Sequence, residues 1–277
     1  MHTRPFFRRA CWIDTVFLGP PGTFSSPVWP SHRMDLPMGR KKACRLFLEE
    51  LEPRLAPSVR PDHVVLVMEE NHSFSEIIGS SSAPYINSLA QQGALMTNAF
   101  AIEHPSQLDY LDIFSGSNQG VITDAVPPPG APYSTPNLAN ELIAAGLTFG
   151  GYSEDMPSVG FTGGSFSNYV RKHNPWVDFS NVPSADNMPY AGFFPTDFTT
   201  LPTVAIVVPN LIHDMHDGTI QQGDTWLQTN LDAYAQWAKS HNSLLIVTWD
   251  EDDGTQHNQV ATILVGAAGA TIMFPSR

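Results

Sequence analysis

Six short apolar runs recur from residue 62 onward, at 63–68, 94–99, 147–152, 203–208, 244–249 and 260–265. Between them lie segments with helical spacing, at 85–92, 107–114, 137–145 and 225–241. The last places Trp226, Leu227, Leu231, Tyr234 and Trp237 on one helical stripe. Apolar runs of this kind need cover on both faces, and the intervening helices can supply it. The pattern predicts an α/β fold: a mostly parallel sheet sandwiched by helices. No internal repeat interrupts it. The proline-rich stretch 126–136 reads as a loop, and 153–202 as a long excursion of the kind that builds substrate-facing walls.

Composition narrows the chemistry. The chain has 277 residues, 42% of them hydrophobic, enough for one large core or two modest ones. No run reaches the roughly 18 apolar residues that a membrane-spanning helix needs. The net charge of -13 is unevenly spread: residues 1–60 hold ten of the fourteen Lys and Arg but only five Asp and Glu. Residues 61–277 are therefore strongly acidic, and such a domain repels nucleic acid unless cations intervene. Both cysteines, Cys11 and Cys44, lie in the basic part. A metal in the acidic part must then use oxygen and imidazole ligands.

This division sets the expected organisation: a basic N-terminal extension over 1–60 and one domain over 61–277. Within the extension, "CRLFLEELEPRLAPS" at 44–58 reads as a short amphipathic helix closed by Pro57. It resembles an L-E-x-L-E-x-R-x-x-P leader segment of some bacterial exported proteins. That resemblance implies an extracellular, cell-surface or periplasmic location.

Ligands of open α/β sheets gather beyond the carboxyl ends of the strands. Four strand-like runs here end in clusters of acid, His or Ser: Glu69-Glu70-Asn71-His72, "IEHPSQLDY" (102–110), "PNLIHDMHDGTIQQGD" (209–224) and "DEDDGTQHN" (250–258). One such cluster is ordinary; four at one edge point to a bound cation or anion. "DEDDG" fails the spacing of an EF-hand calcium loop, because Trp249 would take the first ligand position. "HDMHD" puts His213, Asp214, His216 and Asp217 within five residues, as a capped turn before the following helix or as ligands and phosphate contacts. Ser106 and Asp109 fit a helix-capping box. The same position would place a hydroxyl at a helix N-terminus, where a phosphate can bind. "YVRKHNPW" brings Arg171, Lys172 and His173 to an otherwise acidic domain, where they can meet an anionic substrate.

Together, "MEENHSFSEIIG", "HPSQLDYLDIFSGSNQG", "PNLIHDMHDGTIQQGDTWL" and "LLIVTWDEDDGTQHNQVATILVG" resemble the bacterial and fungal phosphoesterase family. That family includes acid phosphatases and phosphatidylinositol-3-phosphatase-like enzymes within the alkaline-phosphatase-like superfamily. The resemblance runs in order over about residues 62–270. It implies a metal-dependent phosphomonoesterase acting through a phosphoserine, on a small phosphomonoester or a phosphoinositide headgroup. A phospholipase C-like diesterase or an impaired metal-binding protein are the alternatives. It further implies a divalent metal ion on Glu70, Asn71, Asp250 and Glu251, a nucleophile in Ser106, and catalytic His173 and His216. His104, Arg171, Lys172, His213, Asp217 and His257 are the expected substrate or phosphate contacts. Two departures stand out. Leu108-Asp109 replaces the family's Pro-Asn after the nucleophile, which would set a carboxylate against the phosphate. The chain also closes on "GAAGATIMFPSR", where relatives continue; a truncated C-terminal element and a frayed last strand are expected.

Overall fold

The computed structural model describes residues 60–267. The leader-like helix and the final residues fall outside that range. Nine strands are present: β1 His63–Glu69, β2 Ala94–Phe100, β3 Phe149–Ser153, β4 Ser165–Phe166, β5 Tyr169–Val170, β6 Asn187–Pro189, β7 Val204–Val208, β8 Ser243–Trp249 and β9 Gln259–Gly266. The α-helices are α1 Phe74–Ile77, α2 Pro84–Gln92, α3 Ser106–Ser115, α4 Leu138–Ala144 and α5 Ile220–Ala238. Seven strands form one sheet in the order β2-β9-β8-β1-β7-β3-β6, with β4 and β5 in a separate hairpin. The sheet is parallel except at β9, which runs antiparallel to both of its neighbours. The last described strand is thus paired on both sides rather than frayed.

Strand alternation sends successive side chains into two different layers. Val65, Val67, Ala205, Val207, Leu245 and Val247 pack on one face against Leu227, Leu231 and Tyr234 of α5 and Ile86 and Leu89 of α2. Met68, Ile206 and Val208 pack on the other against Leu108, Leu111 and Phe114 of α3, with Trp176 and Phe179. The predicted sandwich is present. The excursion at 153–202 has few periodic apolar positions because side-chain hydrogen bonds organise it instead. Asn187 Oδ1 accepts from Trp176 Nε1 at 2.8 Å and from Asn174 Nδ2 at 2.9 Å, while its Nδ2 donates to the Phe161 carbonyl at 3.0 Å. The Trp176 indole in turn lies on Gly151 of β3, where an added Cβ would come within 2.1 Å of the ring. Only glycine admits that contact.

Helix ends account for the differences from the expected boundaries. The helix expected at 225–241 begins at Ile220, because Thr219 and Gln222 form a reciprocal capping box: Thr219 Oγ1 accepts from Gln222 N and Gln222 Oε1 from Thr219 N. Helix α2 has no cap of its own, since Ala83 occupies the N-cap. Its free amides are met by α5 instead: Asp224 accepts from Tyr85 N at 3.2 Å and Ile86 N at 2.8 Å. Asp224 is buried, so removing it leaves two desolvated donors. Asp224→Ala should lower stability by about 2 kcal/mol, read as the urea midpoint, and Asp224→Asn by less. Equal midpoints for wild type and the alanine variant would show that α2 does not depend on this cap.

Candidate active site

The C-terminal ends of β1, β2, β7 and β8 meet at one edge of the sheet. From β1 come Glu69, Glu70 and Asn71. Alternation turns Glu69 toward the α5 layer and Glu70 toward α3, and both are fully buried. Asn71 adopts a left-handed conformation, φ 53°, which asparagine tolerates better than most residues. The sharp turn aims its amide at Asp250 Oδ1, 3.2 Å away at the end of β8. Asp250 N in turn donates to the Glu69 carbonyl at 3.0 Å. The loops after β1 and β8 are therefore stitched together by backbone.

Ser106 opens α3, but it is not the cap. Pro105 holds the N-cap position, and the Ser106 hydroxyl points to two carboxylates, Glu70 Oε2 at 3.1 Å and Glu251 Oε1 at 3.0 Å. A hydroxyl has one proton and can donate to only one of them. The other contact needs a further proton or a cation. Glu251 Oε2 is contacted by His104 Nδ1, and His104 Nε2 lies 3.5 Å from Asp252 Oδ1. Asp252 itself shapes the loop. It accepts from the amides of Gly254, Gln256 and Asn258 at 2.7, 2.8 and 2.9 Å. Burial opposes its charge, but these donors outweigh it and hold its carboxyl below the ordinary range.

On the other side of Glu70 lies His173, stacked on Tyr110 with ring centres 5.0 Å apart. Its Nε2 is 3.1 Å from Glu70 Oε1 and its Nδ1 3.3 Å from Asp214 Oδ2. Burial, then the charges of Lys172 and His216, push the His173 pKa well below its ordinary value. Neither carboxylate contact is aligned as a hydrogen bond. Glu70 Oε1, His173 Nε2, Asp214 Oδ2 and Asp250 Oδ2 are all buried without a hydrogen-bond partner among the described residues. His216 Nδ1 is 2.8 Å from Asp217 Oδ1, a carboxylate that can only accept; in the neutral ring Nδ1 would donate to it and Nε2 would keep its lone pair. Ligand atoms of Glu70, His173 and His216 lie within 4.8 Å of one another. Burial first, and then neighbouring carboxylates, push Glu70 and Asp250 well above the ordinary range. Orphaned buried acceptors, a bare imidazole nitrogen and carboxylates that resist ionising together form a donor set that fits a divalent cation.

Of the expected contacts, Ser106, Glu70, Asn71, Asp250, Glu251, His104, His173, His216 and Lys172 converge here, with Asp217 behind His216. Lys172 Nζ reaches Asp124 Oδ2 at 3.0 Å and lies 3.4 Å from His216 Nε2. Three residues make their contacts elsewhere. Arg171 is held by Asp178 (Nε–Oδ1 3.0 Å) and by the Thr162 carbonyl, so its guanidinium anchors the wall. His213 pairs with Glu154 Oε2 at 2.9 Å and stacks on Trp226, in the α5 layer. His257 is exposed in a left-handed turn of the 250–258 loop. Tyr110 and Asp124 are additions. The first could be read from its position one turn beyond Ser106 on the same helix face; the second sits in an irregular loop without any periodic signal.

Asp109 does not face the mouth. Its Oδ1 accepts from Ile102 N at 3.0 Å and Glu103 N at 3.1 Å, bracing the loop that leads into Ser106. Burial, only partly offset by these two amides, pushes its pKa up to about 7. An ordinary aspartate ionises near 3.8, so between about pH 4 and 7 the folded protein keeps a proton that the unfolded chain has lost. Stability from this group therefore falls as pH rises through that window. Asp109→Asn keeps the acceptor and removes the charge. Its urea midpoint should match wild type at pH 4.5 and exceed it at pH 8; a lower midpoint at pH 8 would contradict this account.

Residues 80–269 match the phosphoesterase family. The chain is 52% identical over 216 residues to a phosphatidylinositol-3-phosphatase of Mycobacterium tuberculosis, covering 77% of this chain and 72% of that protein. It is 32% identical to an acid phosphatase of Aspergillus fumigatus over 65% of this chain but only 43% of that protein, so it spans less than half of this fungal relative. In architecture it is similar to a crystal structure of an alkaline phosphatase superfamily protein from Vibrio parahaemolyticus, at a TM-score of 0.53 and 12% identity, covering 76% of this chain and 61% of that one. The fold is thus alkaline-phosphatase-like. By its family match and its mycobacterial relative, this chain belongs to the phosphoesterase family and is a phosphoric ester hydrolase.

Proposed function

We propose that the chain is a metal-dependent phosphomonoester hydrolase that works through a phosphoserine at Ser106. One observation carries the reading: the Ser106 hydroxyl stands between Glu70 and Glu251 at 3.1 and 3.0 Å. A capping serine has no use for two carboxylates, whereas a nucleophile needs a proton acceptor. Ser106 Oγ attacks phosphorus while its proton passes to one of the two carboxylates. The Oγ–P bond forms, the P–O bond to the alcohol breaks, and the alcohol leaves with that proton. In the second step His216, its Nδ1 proton fixed on Asp217, takes a proton at Nε2 from the attacking water. Phosphate is released and the proton returns to Ser106. Lys172 faces the phosphoryl oxygens, and His173 lies beside Glu70, its Nε2 3.1 Å from Oε1.

Glu70, Asn71, Asp250 and Glu251 would hold the divalent cation, with His173 and His216 beside Glu70. When bound, it supplies the positive charge that favours the serine alkoxide and the phosphoryl oxygens. The names of the relatives support a small phosphomonoester or a phosphoinositide headgroup as substrate. The acidity of the domain argues against polynucleotides. The leader-like segment at 44–58 supports export as part of the same reading.

Ser106→Ala should stay folded, because Ser106 is not the cap, while turnover of p-nitrophenyl phosphate falls by roughly three orders of magnitude or more. A variant with near-wild-type turnover would remove Ser106 from the reaction. Chelation should abolish hydrolysis and a single added divalent metal restore it. Independently of activity, metal added to stripped protein should raise its melting temperature, and Glu70→Gln should shrink that rise. Full activity in stripped protein, with no thermal response to metal, would refute the metal site.

A further inference from the structure

Lys172 stands apart among the fixed cations of the described residues. Arg171 is tied to Asp178 and Lys239 to Gln236, and Arg60 lies at the opposite edge, before β1. Among these four, Lys172 alone reaches the candidate site: it lies 3.4 Å from His216 Nε2, and its one ion pair is with Asp124. The two carboxylate oxygens of Asp124 are used separately: Oδ1 accepts from the Gln107 amide at 3.1 Å and Oδ2 from Lys172 Nζ at 3.0 Å. Gln107 directly follows the nucleophile. In the amide orientation that the surrounding carbonyls require, its side chain donates to the Thr123 carbonyl at 3.0 Å and the Ala125 carbonyl at 2.9 Å. The loop at 123–125 is therefore clamped by the first turn of α3, and Asp124 is placed by the same turn that places Ser106.

We propose that Asp124 is a positioning residue: it holds the Lys172 ammonium beside His216 and the first turn of α3, where it meets the phosphoryl oxygens of the substrate. The inference rests on the phosphatase reading above. Burial opposes the charge of Lys172; the bond to Asp124 is the largest influence that restores it, followed by the field of Glu70, and together they hold its pKa above the ordinary value. Without Asp124, the attractions that remain are Glu70 and Asp250. An ammonium drawn to them would leave the phosphoryl position and compete for the carboxylates that fit a cation. Asp124 thus acts through Lys172 and not by touching substrate.

The test measures inorganic phosphate binding to the full chain by calorimetry, alongside KM and kcat for p-nitrophenyl phosphate. Asp124→Asn keeps an acceptor for the Gln107 amide but loses the ionic hold on Lys172. Its melting temperature should stay within about 2 °C of wild type. The phosphate Kd and KM should rise on the order of tenfold, with kcat changed far less. Asp124→Glu should recover part of the loss. In a Lys172→Met background, Asp124→Asn should weaken phosphate binding no further. Tighter phosphate binding in Asp124→Asn would mean that the carboxylate merely repels the anion, and would overturn the proposal. So would unchanged affinity, with or without a lower melting temperature, or additive effects in the double variant. If the asparagine variant fails to fold, the comparison of Asp124→Glu with wild type, each with and without Lys172→Met, decides by the same criteria. A wild-type protein that binds phosphate in this pattern yet hydrolyses nothing would sink the phosphatase reading and leave the positioning role standing.

Discussion

The Ser106 hydroxyl and the two carboxylates that face it can meet only if β1 and β8 are neighbours in a fixed register. Glu69 pairs with Trp249 at the last rung, so Glu70 and Asp250 leave the sheet side by side and Glu251 follows at once. A slip of one residue would turn Glu70 into the α5 layer and bring Glu69 toward α3. The apolar residues of β1 prevent that slip. Val65 and Val67 are committed to one layer and Met68 to the other, and all three are buried. The chemistry at the sheet edge therefore depends on hydrophobic packing well below it. Gathering so many carboxylates costs stability, and the raised pKa values of Glu70 and Asp250 are the sign of that cost.

Much of this was legible in the chain. The apolar runs located six of the seven strands in the main sheet, because the strands inside it need a largely apolar segment; β2, at the sheet edge, is mostly exposed and keeps Thr97 and Asn98 in its run. The polar clusters after four of them meet at the candidate site, because a parallel sheet brings its carboxyl ends to one edge. The residues Glu70, Ser106, Asp250 and Glu251 were each marked by such a cluster. What escaped was set by side-chain hydrogen bonds, which leave no periodic trace. The short β6 exists because Asn187 ties the wall together, not because its residues are apolar. Arg171 looked like a free cation beside Lys172 and His173, but the buried Asp178 seven residues later claims it. His213 and His216 sit three residues apart in one motif and face different layers, a separation made by the turn at Met215, φ 78°.

Asp109 illustrates a subtler limit. A carboxylate next to a phosphate site reads as a conflict when only spacing is known. In three dimensions it serves two amides, of Ile102 and Glu103, that precede α3. A substitution that departs from a family pattern can thus keep the site by taking over a neighbouring backbone task.

The reversal of β9 has a consequence for how the site tolerates change. Most loops at this edge lead away into helices, so their far ends are free to drift as helices shift. The loop from Asp250 to Asn258 instead turns back on itself, and both of its stems are hydrogen-bonded strands in the middle of the sheet. Asn258 closes the turn by accepting from Asp252 N and donating to the Glu103 carbonyl, on the approach to Ser106. This half of the acidic pocket behaves as a stapled hairpin. Diversification that adds residues to the enzyme's mouth should therefore gather in the 117–136 and 153–202 walls and spare the hairpin that carries the carboxylates.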